Sequence, residues 1–296
     1  KRALGFGTIL SLAIASIMGT GMFFGAAIGA SYSGNASIIS WVILSFVAVY
    51  ISTFFGELTA MFPKAGGVYE FSKHAYSRFI SFLIGWLAWI VGNLTTALLI
   101  VAAIDYLVPD SSQFFTKMII SIALIIILNI IAFYGIEASG YVVVILVVLS
   151  ISIILSVILP GIFYMDLSNL TPLFAFGAVP ILVTIFFIAE CFFGWESATY
   201  LSEETINPEK TIPKALVCGT IIVGVLATAI SLVSLGIVPW KILTAASAPL
   251  SLVFERIYGS LGKILNYGVF IALIGSAASG VITMPRLILA LARDKL

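Results

Sequence analysis

Met18-Gly19-Thr20-Gly21-Met22 lies in the middle of the first long apolar run of the chain, and Phe193-Gly194-Trp195 lies in the middle of the sixth. Each run is long enough to cross a bilayer, which takes about 20 predominantly apolar residues. Glycine at mid-depth weakens a helix, by about 1 kcal/mol relative to alanine. In lipid, an unwound backbone survives only where protein buries it or where it lines a cavity. Interruptions at corresponding positions of two apolar segments are the pattern of a transporter's binding site. The two breaks therefore predict a central polar site enclosed by helices.

Working outward, composition places the whole chain in a membrane. Of its 296 residues, 61% are hydrophobic and 9% charged, against about 25% charged in soluble domains. Mean hydropathy is +1.21. The formal net charge is +1, and no basic stripe marks a nucleic-acid surface. Cys191 and Cys218 both fall inside apolar runs and read as small core hydrophobes. The single histidine, His74, has no Cys or His companion, so no metal site is expected. Lys1 and Arg2 precede an apolar run longer than a secretory h-region, and the run is read as a first span.

Eight segments have the length of a span: Ala3–Tyr32, Ser37–Phe62, Phe79–Val108, Phe114–Tyr134, Tyr141–Tyr164, Phe174–Leu201, Ile212–Val238 and Ile264–Leu291. Turn-forming clusters separate them, among them Ser33-Gly34-Asn35, Pro63-Lys64-Ala65-Gly66-Gly67, Pro109-Asp110-Ser111-Ser112 and Asn207-Pro208. With the N-terminus in the cytoplasm, Lys1, Arg2, Lys64, Lys73, Arg78, Lys210, Lys214, Arg286, Arg293 and Lys295 face inward, and only Lys117, Lys241, Arg256 and Lys263 face outward. That asymmetry predicts a multi-pass cell-membrane protein with both ends of the chain cytoplasmic. Gly66 to Ser77 is too polar to span and reads as a short amphipathic helix at the interface, with a solvated loop as the alternative.

Four motifs in order resemble one family. Ile17-Met18-Gly19-Thr20-Gly21-Met22-Phe23 is similar to the helix 1 signature of the amino acid–polyamine–organocation (APC) transporters. Glu57-Leu58 followed by Pro63-Lys64-Ala65-Gly66-Gly67-Val68-Tyr69 resembles their pattern from helix 2 into the next loop. Gly194-Trp195-Glu196, then Glu203-Glu204-Thr205-Ile206-Asn207-Pro208 and Ile212-Pro213-Lys214-Ala215, resembles their helix 6 pattern. Ala290-Leu291-Ala292-Arg293-Asp294 resembles the end of their helix 8.

The resemblance implies an all-α integral membrane fold of two five-helix repeats with opposite topology, with discontinuous helices 1 and 6. Helices 1, 2, 6 and 7 would form a moving bundle, and helices 3, 4, 8 and 9 a scaffold. Residues 1–296 then form a single transmembrane domain, with repeat one at about 1–165 and a partial repeat two at about 172–296. The second repeat lacks its last two helices, so a chain truncated after helix 8 is expected.

The site chemistry follows from the breaks. A half-helix beginning after Gly19, Thr20 and Gly21 carries a partial positive charge and can hold a carboxylate without a basic side chain. Thr20 adds a hydroxyl. Carbonyls freed near Ile17, Glu190 and Phe193 suit an ammonium group. Together these describe a clamp for an α-amino acid, as the family resemblance also implies. Gly21, Gly25 and Gly29 are four apart and alternatively allow close helix packing. Glu190 lies mid-span before the sixth-span break, and an intramembrane carboxylate is functional by default. It pairs with a cationic substrate group, takes up a coupling proton, or bonds a neighbouring helix. Glu196 complements the second half-helix. Asn93 reads as a wall of the site or as glue between helices, and Phe192 and Trp195 as a cap over the substrate or as packing.

Many sodium-independent relatives carry a lysine midway along helix 5, and Val148-Leu149-Ser150-Ile151-Ser152 has none. Ser276 and Ser279 offer oxygen ligands to sodium or serve as small packing residues. Sodium symport, proton symport through Glu190 and ion-free exchange all stay open. The expected substrate is an amino acid or related amine, weakly biased toward a cationic amino acid or polyamine. No cofactor and no enzymatic activity are expected, because no paired catalytic groups share a depth. The alternative is a non-transporting nutrient sensor or assembly subunit with the same fold.

Overall fold

The computed structural model describes residues 2–108, 113–134 and 136–295, and side chains for all of these except 136–139. Lys1 and the Pro109-Asp110-Ser111-Ser112 turn lie outside the described residues.

Among the described residues, seven stretches of helix are long and apolar enough to cross a membrane, and the first runs over 56 residues, Phe6–Met61. At 1.5 Å per residue this is about 84 Å, nearly three times the hydrocarbon thickness, so it must fold back. It does so at Gly34 (φ 60°), where a single 3-10 turn, Gly34–Ala36, joins two helical runs. Before the turn come α1 (Phe6–Met18) and α2 (Gly21–Ser33); after it comes α3 (Ser37–Met61). The Asn35 side chain pins the turn by donating to Asn169 O (2.9 Å) and Pro172 O (3.3 Å).

The remaining elements are α4 (Val68–Ala75), α5 (Arg78–Leu107), α6 (Phe114–Phe133), α7 (Ile136–Tyr164), α8 (Val179–Ile188), α9 (Trp195–Thr199), α10 (Pro208–Ile237), α11 (Trp240–Leu243), α12 (Pro249–Tyr258) and α13 (Gly262–Arg293). All eight expected spans are therefore helical, the first as α1 with α2 and the sixth as α8 with α9. The Gly66 to Ser77 segment contains the short helix α4.

Close contacts at small residues fix the directions. A Cβ on Gly56 would meet Pro213 at 3.1 Å, and one on Gly224 would meet Ser45 at 3.0 Å, so α3 and α10 run antiparallel. The pairs Gly85 with Leu291, Gly92 with Met284 and Gly280 with Thr96 set α5 against α13 in the same way. Leu4 and Ile206 share a main-chain hydrogen bond at one end of the molecule, while the Thr184 hydroxyl donates to Ser33 Oγ (2.8 Å) at the other. The first and sixth spans are thus antiparallel and side by side. Their shared ends define two faces: one carrying Leu4, Glu204 and Arg293, the other carrying Asn35 and Trp240.

The core runs through the middle of this arrangement. Ile9, Leu12, Ile17 and Met18 of α1 are buried in one core cluster with Leu216 and Val223 of α10 and Leu273 and Ala277 of α13. In contrast, α6 is buried over only 6% of its apolar window. Its isoleucine-rich surface suits hydrocarbon, where apolar side chains need no protein cover. One element was not anticipated from the sequence. The segment between α10 and α13 folds into α11 and α12, and Leu250, Val253, Phe254 and Ile257 of α12 are buried. Their i, i+3, i+4, i+7 spacing is that of an amphipathic helix too short to cross lipid.

Candidate functional site

Both expected breaks are present, and they touch. Helical bonding stops at Met18 and resumes at Gly21, and the Phe23 and Phe24 amides both turn back to Thr20 O (3.0 Å each). In the sixth span α8 tightens into a 3-10 turn, Ala189–Phe192, then Phe193 is extended and Gly194 adopts φ 135° before α9 begins. That φ lies where only glycine is at ease. Glycine is needed there for a second reason: a Cβ on Gly194 would lie 2.4 Å from Ser16 O. On the other side, a Cβ on Gly21 would lie 2.0 Å from Cys191 Sγ.

A cavity of about 230 Å³ opens at this level, walled by Ser16, Gly19 and Thr20 of the first span, Gly92, Thr95 and Thr96 of α5, Glu190, Phe193, Gly194, Glu196 and Ser197 of the sixth, and Ser276, Gly280 and Met284 of α13. Taking about 30 Å³ per water, it has room for roughly seven waters, the scale of a small zwitterion. Its acidic lining groups are the carboxyls of Glu190 and Glu196, with the Cys191 thiol beside them; among the described residues no Lys, Arg or His lines it. Glu196 accepts from the Gly194 amide (3.2 Å), a cap at the start of α9. Glu190 is exposed and also lines a wider vestibule of about 470 Å³ together with Thr20, Asp105, Thr244 and Pro249. Thr20 and Glu190 line both, so the vestibule adjoins the cavity on the side of the Trp240 face.

The structure distributes the sequence-predicted residues unevenly. Gly19, Thr20, Glu190, Phe193, Gly194 and Ser276 line the cavity. Ile17 is fully buried behind it, and Gly21 faces Cys191. Phe192 is buried with its ring 6.2 Å from that of Trp41. Trp195 is buried, donates from Nε1 to Thr220 Oγ1 (2.9 Å) and leans on Phe55. Asn93 donates to Trp89 O (2.8 Å) and lines a separate hollow between α5, α6 and α13. Ser279 sits between spans, 2.8 Å from Ser16 Oγ and 3.4 Å from Leu12 O. Sequence reasoning passed over Ser16, Thr96, Ser197, Gly280 and Met284. Gly92 and Gly280 were the visible signal: isolated glycines in two spans that let α5 and α13 close on each other.

The Leu4 face is shut by main chain and charge. The Ala3 and Leu4 amides donate to Glu204 O (2.9 and 3.0 Å), and Ile206 N donates to Leu4 O (2.9 Å). Arg286 reaches Glu204 from Nε and Nη2 (3.3 Å) while its Nη1 donates to Ile282 O (2.7 Å). Arg293 Nη1 holds both oxygens of Glu203 (2.7 and 2.9 Å), and Glu203 also accepts from the Ala65 amide (3.3 Å). Glu203 and Glu204 are both tied to α13, where Arg286 and Arg293 lie seven residues, about two helical turns, apart and so share the side facing the loop. The Arg293 hydrogen bond holds the Glu203 carboxyl below the usual carboxylate range. Beside it, Asp294 takes a hydrogen bond from Tyr69 Oη (2.7 Å) and an ion pair from Lys73. The Lys73 contact, then the Tyr69 one, lowers the Asp294 pKa. Burial, reinforced by the Asp294 hydrogen bond, pushes the Tyr69 phenol up to about 12. Burial opposes the charge on Lys73, but its bonds to Asp294 and Glu70 outweigh that and raise its pKa.

A bundle of long apolar helices, two of them broken around a small polar cavity that is shut at one face, has the build of a membrane transport protein. Residues 4–296 match the family model described as amino acid permease, and the chain belongs to that family. It is similar to the branched-chain amino acid permease BcaP of Lactococcus lactis subsp. cremoris (26% identical, over 99% of this chain and 67% of the relative). It also resembles the serine/threonine exchanger SteT of Bacillus subtilis (26% identical, over 100% of this chain and 69% of the relative) and the gamma-aminobutyric acid permease of the same organism (26% identical, over 95% and 63%). The chain spans about two thirds of the length of these relatives. It is a multi-pass membrane protein of a permease family and not an enzyme.

Proposed function

We propose that the chain forms the substrate-translocating core of a secondary transporter for amino acids or related amines, working by alternating access. The observation that carries this reading is the cavity at the level of both helix breaks, adjoining the vestibule on the Trp240 side and shut at the Leu4 face. At the start of α2 the Phe23 and Phe24 amides bond Thr20 O, which leaves the Gly21 and Met22 amides as the seat for a carboxylate. Main-chain carbonyls of the Ser16 and Phe193 region supply the acceptors for the ammonium group of an α-amino acid. The antiparallel, side-by-side course of the two broken spans supports an inverted repeat, about 1–165 against a partial second unit at about 172–296.

In this reading the Leu4 face is cytoplasmic, as the Lys and Arg asymmetry requires, and the geometry is that of an outward-facing state. Glu190 favours substrates with an extra cationic group, and Ser276 and Ser279 are the oxygens best placed to serve a coupling sodium ion. Relatives acting on branched-chain amino acids, on serine and threonine, and on gamma-aminobutyric acid support the substrate class as amino acids broadly.

The test is uptake of radiolabelled amino acids and amines into proteoliposomes, paired with a thermal-shift screen of the same compounds with and without sodium. Saturable uptake, competed by the compounds that stabilise the protein and weakened in Thr20→Val, is the expected result. Stabilisation without flux would leave a sensor in place of a transporter. No flux and no stabilising amino acid or amine would overturn the site itself.

A further inference from the structure

Away from the cavity, a second hollow of about 530 Å³ lies at the edge of the Leu4 face between α4, the start of α5 and the end of α13. Four cations line it, Lys73, Arg78, Arg293 and Lys295, against one carboxylate, Asp294. That carboxylate is already engaged by Lys73 and Tyr69, and Arg293 is engaged by Glu203. Two cations are left over. Arg78 donates only to main-chain carbonyls, Asp294 O (3.0 Å) and Lys295 O (3.5 Å), and the Lys295 ammonium has no partner among the described residues. A guanidinium has five N–H donors in a planar fork that matches two oxygens of a phosphate.

The depth of the hollow identifies the medium it faces. Arg78 is the first residue of α5 and Arg293 the last of α13, so the hollow sits where two membrane-spanning helices emerge. Tyr76 and Phe79 beside it are 59% and 71% exposed, and aromatic side chains of this kind mark the headgroup level. The Asp294 carboxylate is hydrogen-bonded by Lys73 and Tyr69, and Arg78 acts on it only through space, so the Arg78 guanidinium keeps side-chain donors for a further anion.

We propose that this hollow binds a phosphate group, with Arg78 and Lys295 as its principal contacts and the phosphodiester of an anionic phospholipid as its source. The bound phosphate bridges the start of α5 to the end of α13. The inference does not depend on what the central cavity transports, nor on which side of the membrane this face lies.

The experiment uses the detergent-solubilised full chain, with retained lipid read by native mass spectrometry and Tm followed on adding phosphatidylglycerol, phosphatidylcholine or inorganic phosphate. Phosphatidylglycerol is expected to be retained and to raise Tm, and phosphatidylcholine to do neither. Each of Arg78→Gln and Lys295→Gln is expected to weaken the phosphatidylglycerol effect about fivefold, the worth of one interfacial charge. Lys295→Gln removes an exposed ammonium with no polar partner among the described residues, so it keeps the test valid if Arg78→Gln folds poorly. Stabilisation by inorganic phosphate that is lost in the same variants and competes with phosphatidylglycerol also supports the site, and assigns it a soluble source. The Lys210→Gln/Lys214→Gln pair alters the same face elsewhere. If that pair weakens the effect as much, or if the two lipids behave alike, the proposal is overturned.

Discussion

Gly21 and Cys191 meet across the two helix breaks so closely that a Cβ on Gly21 would stand 2.0 Å from the cysteine sulfur, 2.1 Å from its Cβ and 2.9 Å from its Cα. Because the obstruction is the whole side-chain root, Gly21→Ala forces one half-helix away from the other. Overpacking of this kind costs about 1–3 kcal/mol, and a fall in Tm of the detergent-solubilised protein measures it. Cys191→Ala in the same chain should restore little, since its Cβ remains. Cys191→Gly should restore part of the loss. Full recovery with Cys191→Ala would place the obstruction at the sulfur alone.

Gly194 carries two separate demands, and they can be measured apart. Its φ of 135° strains any other residue, and the Ser16 carbonyl lies 2.4 Å from where a Cβ would stand. Gly177 has φ 81° with nothing within 4 Å of its Cβ position. Gly177→Ala should therefore cost only the backbone strain, about 1–3 kcal/mol. Gly194→Ala should cost that and more, with loss of ligand-dependent stabilisation because Gly194 lines the cavity. Equal costs for the two variants would mean that the Ser16 carbonyl moves aside freely.

Much of this was legible in the sequence because lipid imposes a strict rule. A mid-span glycine cluster in a bilayer serves a cavity or close helix packing; Gly19-Thr20-Gly21 paired with Gly194 at the matching depth located both breaks, and span lengths located the helices. What escaped depended on tertiary direction. Asn93 and Trp195 are polar-tipped residues at the right depth, but helical phase points Asn93 into a different hollow and gives the Trp195 indole to Thr220. The partners of Glu203 and Glu204 are Arg293 and Arg286, 90 and 82 residues away. No local pattern encodes that pairing. Helix α12 was missed because its apolar face is too short to register as a span.

Closure at the Leu4 face should weaken with acid, and the sign follows from the two depressed carboxyls. Glu203 and Asp294 both ionise more readily in the folded protein than in the unfolded chain. A carboxyl of this kind contributes stability that is fully present above its unfolded pKa, about 4, and is lost as pH falls through its lower folded value. Hydrogen exchange in α4 and the last turns of α13, corrected for intrinsic rates, should be flat from pH 7 to about 5 and rise below 4. Glu203→Gln should raise exchange already at neutral pH and reduce the acid step. The Arg286–Glu204 contact, with side chains 17% and 28% exposed, should show a coupling of about 0.5–3 kcal/mol in a double-mutant cycle. A coupling near zero would leave the main-chain bonds at Leu4 and the Arg293–Glu203 pair as the closure.

Glu190 is the one carboxyl shared by the cavity and the vestibule. Its neighbour Asp105 is engaged by Lys117 Nζ at 2.7 Å, which leaves Glu190 as the vestibule's unpaired acid among the described residues. A ligand ammonium passing or resting there gains a charge-assisted hydrogen bond, worth about 1.5–3 kcal/mol when the acceptor is ionised. Glu190→Gln keeps the shape and an acceptor oxygen while removing the charge. Affinity for diamino acids and polyamines, read by thermal shift or by KM for uptake, should therefore fall about tenfold or more. Neutral amino acids, whose single ammonium can be held by carbonyls at the breaks, should change little. A parallel loss for neutral and cationic ligands would make Glu190 part of the common amino-acid clamp. A loss confined to proton-driven uptake, with binding intact, would make it the coupling group instead.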